Sequence, residues 1–349
     1  MKQRDNWLDS IKFLGTAFII LSHAGCGIPV SRFYYVPIFF IIAGYVFKDT
    51  DLKKFIIGKI KRLYIPFVAV NVFYLLFRNF LCRIGISASK TNYTLIQIAE
   101  RIQGSFIFEV SDIMASATWF VFSLFVTNIV FFVLFKLTKL FRSLQDILLI
   151  AIVLLMYVIG TQNREVLNQT IYGNCSIYTI TLISMLFYTI GYFAKKYSVI
   201  NKIDNGSEQV QIILLASSIG VLFLSEYYFD YANSFREGVF SSSVLLLLNT
   251  VSGFVFLTFI SKKIIPIFNS INTVVSWAGR YSMDMLLWHV AWFQLVTFIQ
   301  IRSGFDYNKL NLWPNLIRAG NWCYLAAFTG IVGPLLIRYL LERIKTIKK

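Results

Sequence analysis

"LDSIKFLGTAFIILSH", Leu8 to His23, has the apolar run of a membrane helix yet carries Asp9, Lys12 and His23. Charged and ionisable groups are costly in a bilayer core, and those that occur there tend to mark pathways, relays or sites. The stretch raises two questions: whether the chain lives in a membrane, and what these side chains do there.

Composition answers the first. Of 349 residues, 57% are hydrophobic and 14% charged, with a mean hydropathy of +0.66. A soluble domain carries about a quarter charged residues. Apolar runs of the roughly 17–25 residues needed to span a bilayer fall near 10–27, 33–47, 63–81, 117–135, 147–160, 177–194, 210–229, 244–261, 281–300 and 322–341. The expected fold is all-α, a polytopic membrane bundle of about ten transmembrane helices. It reads as a single membrane domain over 1–349, with no soluble domain at either end and no internal repeat. "HAGC" at 23–26 is loosely similar to a lipoprotein cleavage site. His23 stands where an aliphatic residue is wanted, so an uncleaved first helix is expected.

The formal charge of +16 is distributed unevenly. One set of alternate connections holds Lys48, Lys53, Lys54, Lys59, Lys61 and Arg62, then Lys136, Lys139 and Arg142, then Lys195, Lys196 and Lys202. It continues with Lys262, Lys263 and Arg280, and the tail adds Arg343, Lys345, Lys348 and Lys349. The opposite connections carry roughly half as many. This positive-inside pattern puts both termini in the cytoplasm. The cationic inner face suits anionic lipid head groups and an anionic cytosolic ligand, and it excludes nucleic acid as a partner.

Cys26, Cys82, Cys175 and Cys323 show no metal-ligand spacing, so no metal is expected. In this topology all four lie near the outer face, where disulfides can form; the plainer reading is isolated thiols at helix ends, and the spacing assigns no pairing. The longest polar connection, about Cys82 to Ala117, lies outside and carries Asn92, Glu100, Arg101, Glu109 and Asp112. A loop of that size is more often folded or functional than slack. "NKIDNGSEQ", 201–209, reads as a cytoplasmic turn.

Lys12 and His23 are eleven residues apart, which places them on nearly one helical face about 16 Å apart, with Thr16 between. Asp9 and Lys12, three apart, can pair and lower each other's cost. The plainer alternative has Lys12 snorkelling to the inner surface and His23 bonding a neighbouring helix. The other histidine, His289, falls about eight residues into the ninth span, with Ser282 on its face; Asp284 is expected to pair with Arg280 one turn earlier. Both imidazoles thus lie inside spans, which favours a functional role.

"RDNWLDSIKFLGTAFIILSH", "VPIFFIIAGYVFK", "KIKRLYIPF", "TWFVFSLF" and "GRYSMDMLLWH" together resemble the successive blocks of the acyltransferase-3 family of bacterial integral-membrane O-acyltransferases, fucose 4-O-acetylase-like proteins included. The resemblance runs in order from residue 4 to 289. It implies an O-acetyltransferase that moves an acyl group, usually acetyl from acetyl-CoA, to a hydroxyl of a cell-surface or lipid-linked glycan, in the bacterial inner or plasma membrane. The family's basic residue eleven before a histidine maps onto Lys12 and His23. Its "FFxxSG(F/Y)" block maps onto Phe39, Phe40, Gly44 and Tyr45, with Ala43 where serine is common. Its basic pair maps onto Lys59 and Arg62, its tryptophan onto Trp119 and its late histidine onto His289. Met283, Asp284 and Trp288 depart from the usual pattern. No hydrolase-like outer domain, of the kind some larger relatives carry, is expected after the bundle.

Chemistry makes these assignments coherent. A hydroxyl attacking a thioester needs a base of near-neutral pKa, which imidazole supplies, and a positive or hydrogen-bonding group at the oxyanion. His23 and His289 are the candidate bases, with Asp9 and Lys12 beside the same path. Lys12 either serves the oxyanion or binds a CoA phosphate. Lys59 and Arg62 suit the CoA phosphates, or form an ordinary positive-inside segment. Trp119 and Tyr45 are candidates for substrate contact, although tryptophan is common at interfaces anyway. Gly44 is expected to permit close helix packing. The competing class is a transporter or flippase for a glycan intermediate or acid, since intramembrane Lys and His also suit relays. No Gly/Pro-broken helix pair in corresponding halves supports it.

Overall fold

The computed structural model describes residues 6–26, 34–84, 92–110, 112–167, 175–229, 233–305 and 321–347. Arg4 and Asp5 of the first block, Lys348 and Lys349 of the tail, and residues 27–33 at the edges of the first two expected spans lie outside them. The described chain is helices joined by turns, apart from a two-residue antiparallel ladder pairing Asn233 with Phe240 and Ser234 with Val239. Among the described residues, eight helices are long and apolar enough to cross a membrane: Leu52–Arg83, Met114–Lys139, Arg142–Gln162, Ile177–Lys196, Glu208–Tyr227, Ser243–Ile267, Ser282–Arg302 and Trp322–Thr346. The protein is an all-α polytopic bundle.

The first two expected spans differ from these eight. The first helix, Asn6–Ala24, has 19 residues, about 28 Å at 1.5 Å per residue. The second, Ile38–Tyr45, has eight, too few to cross a core about 30 Å thick. Six of those eight are buried, so this is a core helix rather than a lipid-facing one.

A second correction concerns the basic stretch after it. Residues 52–62, expected as a loop, form the start of the Leu52–Arg83 helix. Asp51 caps it, its carboxylate accepting from the Lys53 N–H at 2.9 Å and the Lys54 N–H at 3.4 Å. The helix becomes a π-helix over Ile60–Tyr64, immediately before Pro66. Proline has no N–H and its ring clashes with the carbonyl four residues back, here that of Arg62; widening the turn relieves the clash. The same device recurs at Ile260–Ile264, ahead of Pro266. In both places the widened turn holds a basic pair, Lys61–Arg62 and Lys262–Lys263.

The chain divides into two compact units. One comprises Met1–Ile28, Ile65–Thr118 and Ile265–Lys349. In it the first helix packs on the Asn269–Arg280, Ser282–Arg302 and Trp322–Ile347 helices. Ile20, Ala24, Ala278, Met285, Phe293 and Ala326 make its core. The outer connection is folded onto this unit. Thr94 and Gln97 form a reciprocal capping box that starts the Leu95–Phe106 helix. Asn79 holds the Tyr93 backbone at both groups, donating to its carbonyl at 2.7 Å and accepting from its N–H at 2.8 Å. Arg78, buried in the Ile65–Arg83 helix, pairs with buried Asp112, and its guanidinium lies 3.9 Å from the Tyr93 ring centroid.

The other unit comprises Pro29–Tyr64 and Trp119–Ile264. Its tightest contact is the crossing of Ile38–Tyr45 on Ile177–Lys196. A Cβ on Gly44 would sit 1.8 Å from the Tyr188 carbonyl oxygen, and one on Gly191 1.9 Å from that of Ile41. The two backbones touch, as small residues permit. Gly44→Ala and Gly191→Ala are each expected to cost about 1–3 kcal/mol or more by forcing the helices apart. Gly58→Ala, with no neighbour within 4 Å, is the control and should hold or gain stability. Thermal unfolding in detergent checks this; equal midpoints for all three variants would contradict the crossing.

At the basic end of this unit Asp49 bridges Lys136, at 2.5 Å, and Lys139. Hydrogen bonding from Lys136 and then Lys139 holds the Asp49 carboxyl below the usual carboxylate range. A carboxyl lowered by folding adds stability that is complete above its unfolded value near 4 and is lost as pH falls through its folded value. The thermal midpoints of the parent and Asp49→Asn should therefore differ at neutral pH and converge below about pH 4. A difference independent of pH would contradict the assignment.

Candidate active site

Four of the sequence-predicted residues belong to the first unit: Asp9, Lys12, His23 and His289. The first helix opens with the expected pair, the Lys12 ammonium donating to the Asp9 carboxylate at 2.8 Å. Asp9 is 1% exposed. Its backbone lies directly beneath Gly279, where a Cβ would come within 1.7 Å of the Asp9 carbonyl oxygen. Thr16, on the same face, is also buried.

The helix ends through a Schellman closure, in which the Cys26 N–H donates to the Leu21 carbonyl and the Gly25 N–H to that of Ser22, both at 3.0 Å. Gly25 takes φ +83°, the left-handed conformation this closure needs. His23 therefore sits on the last helical turn, half-buried. His289 is fully buried in the Ser282–Arg302 helix. The two imidazoles meet: His23 Nδ1 lies 3.0 Å from His289 Nε2, with ring centroids 5.2 Å apart and planes at 28°. Phe293 stacks edge-on against His289 at 5.3 Å. Gly330 of the last helix closes over them, since a Cβ there would lie 2.8 Å from Phe293 and 3.4 Å from the His289 Cβ.

The tautomers follow from the acceptors. His289 Nδ1 is 2.8 Å from the Leu286 carbonyl and 3.3 Å from that of Met285. Carbonyls only accept, so Nδ1 carries the proton of a neutral His289 and Nε2 is the acceptor. His23 then donates from Nδ1, which leaves the basic lone pair on His23 Nε2. A peptide carbonyl thus orients one imidazole, which orients the other, the logic by which hydrogen-bond partners select a histidine's tautomer.

The expected Arg280–Asp284 pair is replaced. Asp284 faces Arg338 of the last helix at 3.8 Å. The last helix also brings Glu342 to the Tyr281 hydroxyl and to the Trp277 indole N–H, the latter at 3.2 Å. Helix-to-helix contacts, not spacing along one helix, decide these pairings.

Lys59, Arg62, Tyr45 and Trp119 belong to the second unit. Lys59 is half-buried with its ammonium 5.0 Å from the Phe55 centroid, and Arg62 is exposed on the π-helical turn. Tyr45 is 5% exposed, with the Lys195 ammonium 4.8 Å from its ring centroid. Trp119 opens its helix buried rather than surface-lying, edge-on to Phe120 at 6.2 Å. Sequence reasoning passed over Lys195 as one more inner-face lysine, and over buried Arg78 because an apolar window absorbs one charge. It identified both histidines but not their contact, since 266 residues separate them and no spacing rule reaches that far.

Residues 5–336 match the family model Acyl_transf_3, an acyltransferase domain. The chain belongs to the acyltransferase-3 family. It is a multi-pass membrane acyltransferase. The match takes in segments of both compact units, so the acyltransferase-3 domain is not confined to either one. No curated protein and no solved structure matches the chain.

Proposed function

We propose that this acyltransferase moves an acyl group, acetyl in the first instance, from acyl-CoA to a hydroxyl of a cell-surface or lipid-linked glycan at a bacterial plasma membrane. The observation that carries this reading is the imidazole pair. His23 Nε2 removes the proton as the acceptor hydroxyl oxygen attacks the thioester carbonyl carbon. A tetrahedral oxyanion forms and collapses, the carbon–sulfur bond breaks, and the proton passes from His23 to the departing CoA thiolate. The products are an ester and free CoA thiol, so the histidine ends as it began.

The roughly 16 Å that eleven helical residues put between Lys12 and His23 favours the donor-binding role for Lys12. An oxyanion donor must stand about 3 Å from the oxyanion, and no single reacting centre touches both residues. Lys12, paired with Asp9, therefore serves the donor's anionic end, and half-buried His23 its thioester end. Lys59 and Arg62 take CoA phosphates, with Arg62 offering the two-pronged contact. Tyr45 and Trp119 are assigned to acceptor contact on the family resemblance alone, and both are buried.

Labelled acetyl-CoA supplied to membrane vesicles holding the full chain tests the reading. Label should enter the glycan as a base-labile ester, and surface-glycan mass should fall by one acetyl per site when the protein is inactive. Substrate movement with no acyl-CoA requirement would contradict it. Arg62→Ala is expected to raise the acyl-CoA KM about 10–100-fold with kcat little changed, as loss of one charge-assisted contact predicts. An unchanged KM would remove Arg62 from the donor site.

A further inference from the structure

Outside the histidine site stand an apolar groove along the Ile177–Lys196 helix, a lysine-rimmed hollow near Asp204, the buried Arg78–Asp112 pair, and a cysteine pair. The last carries furthest. Cys26 and Cys323 are nearly the whole chain apart, yet Cys26 lies in the buried core of the first unit and Cys323 packs against that core. Both are reduced thiols in this structure, and burial, then a side-chain hydrogen bond with Cys323, pushes the Cys26 thiol up. The Schellman closure at Gly25 folds Cys26 back onto its helix end, and Cys323 is the second residue of the last helix, Trp322–Ile347. With both termini inside by the distribution of basic residues, one helix ends and the other begins at the outer face. That compartment is the one in which disulfides form and persist.

We propose that Cys26 and Cys323 form a disulfide at the outer face, a covalent staple between the first and last helices one turn beyond His23. The oxidant is a disulfide, small-molecule or protein-borne, outside the membrane. Half-buried Cys323 loses its proton and attacks that disulfide, giving a mixed disulfide and one released thiol. Cys26 then loses its proton and attacks the Cys323 sulfur, releasing the second thiol. Two protons and two electrons leave the pair, and the external disulfide is reduced by the same two electrons. The staple fixes the end of the helix that presents His23 and does not depend on which acyl group or acceptor the protein uses.

Thiol counting on the full chain in membranes tests the proposal, with oxidised glutathione as the oxidant and alkylation after denaturation in acid-quenched detergent. In a Cys82→Ser/Cys175→Ser variant, which keeps only the proposed pair, neither thiol should alkylate before reduction and both should alkylate after it. In the parent, peptide mass spectrometry should find the Cys26 and Cys323 peptides joined, and Cys26→Ser should free Cys323 for alkylation. Full alkylation of both thiols in the double variant after glutathione treatment would overturn the proposal, as would a parent cross-link joining either cysteine to Cys82 or Cys175.

Discussion

Replacing His23 by asparagine is expected to lower acyl transfer by roughly 10³-fold, within the range that a positioned general base supplies. Asparagine is the informative substitution. Its Nδ2 occupies the place of the imidazole Nδ1 and still donates to His289 Nε2, now 3.0 Å from His23 Nδ1. Alanine would orphan that buried nitrogen, at a cost of about 1–3 kcal/mol, and would mix a folding defect with a chemical one. With asparagine the amount of folded protein in the membrane should stay level while kcat falls. The acid limb of the pH–rate profile, which reports protonation of the base, should vanish with it. A His23→Asn variant that transfers at the parental rate would remove the base from the account.

His289 should show a different signature because it acts through His23. His289→Ala is expected to reduce kcat by about 10–100-fold, the cost seen when a hydrogen-bonding partner that orients a functional histidine is lost. KM for acyl-CoA should be unchanged, since the proposed role of His289 is to orient His23 rather than to bind the donor. The side-chain geometry predicts which substitution rescues. Gln places an oxygen where Nε2 stood and can accept from His23. Asn places its amide where Nδ1 stood, bonds Leu286, and leaves His23 without its acceptor. Activity should therefore rank parent, then His289→Gln, then His289→Asn and His289→Ala together. If His289 were a second base in contact with substrate, Gln would be as poor as Ala and the pH profile would lose a second limb.

Much of this was legible in the residues. Hydropathy located all eight long spans, because each needs a long apolar run. The Asp9–Lys12 pair was readable because a three-residue spacing on one helix fixes neighbours, and Gly44 announced a close crossing by its size. What spacing could not supply was contact between helices. The His23–His289 pair, the Arg338 partner of Asp284 and the cysteine pair all join residues distant in sequence, and each depends on how helix faces meet. Two misreadings have local causes. The basic stretch 52–62 has the charge of a loop, but Asp51 caps it and a π turn carries it up to Pro66, so it is helix. The segment 33–47 is apolar enough for a span, yet its described helix is the buried eight-residue Ile38–Tyr45, because apolar residues fill a protein core as well as they face lipid.

The most direct test follows labelled acetyl from acetyl-CoA into base-labile ester in membrane vesicles, comparing the parent with a His23→Asn/His289→Asn double variant present at equal folded amounts. Steady incorporation by the parent and near-background incorporation by the double variant is the expected result, with the double loss no larger than that of His23→Asn alone because the two rings act as one unit. Parental incorporation by a chain that has no imidazole left would contradict the account at its centre.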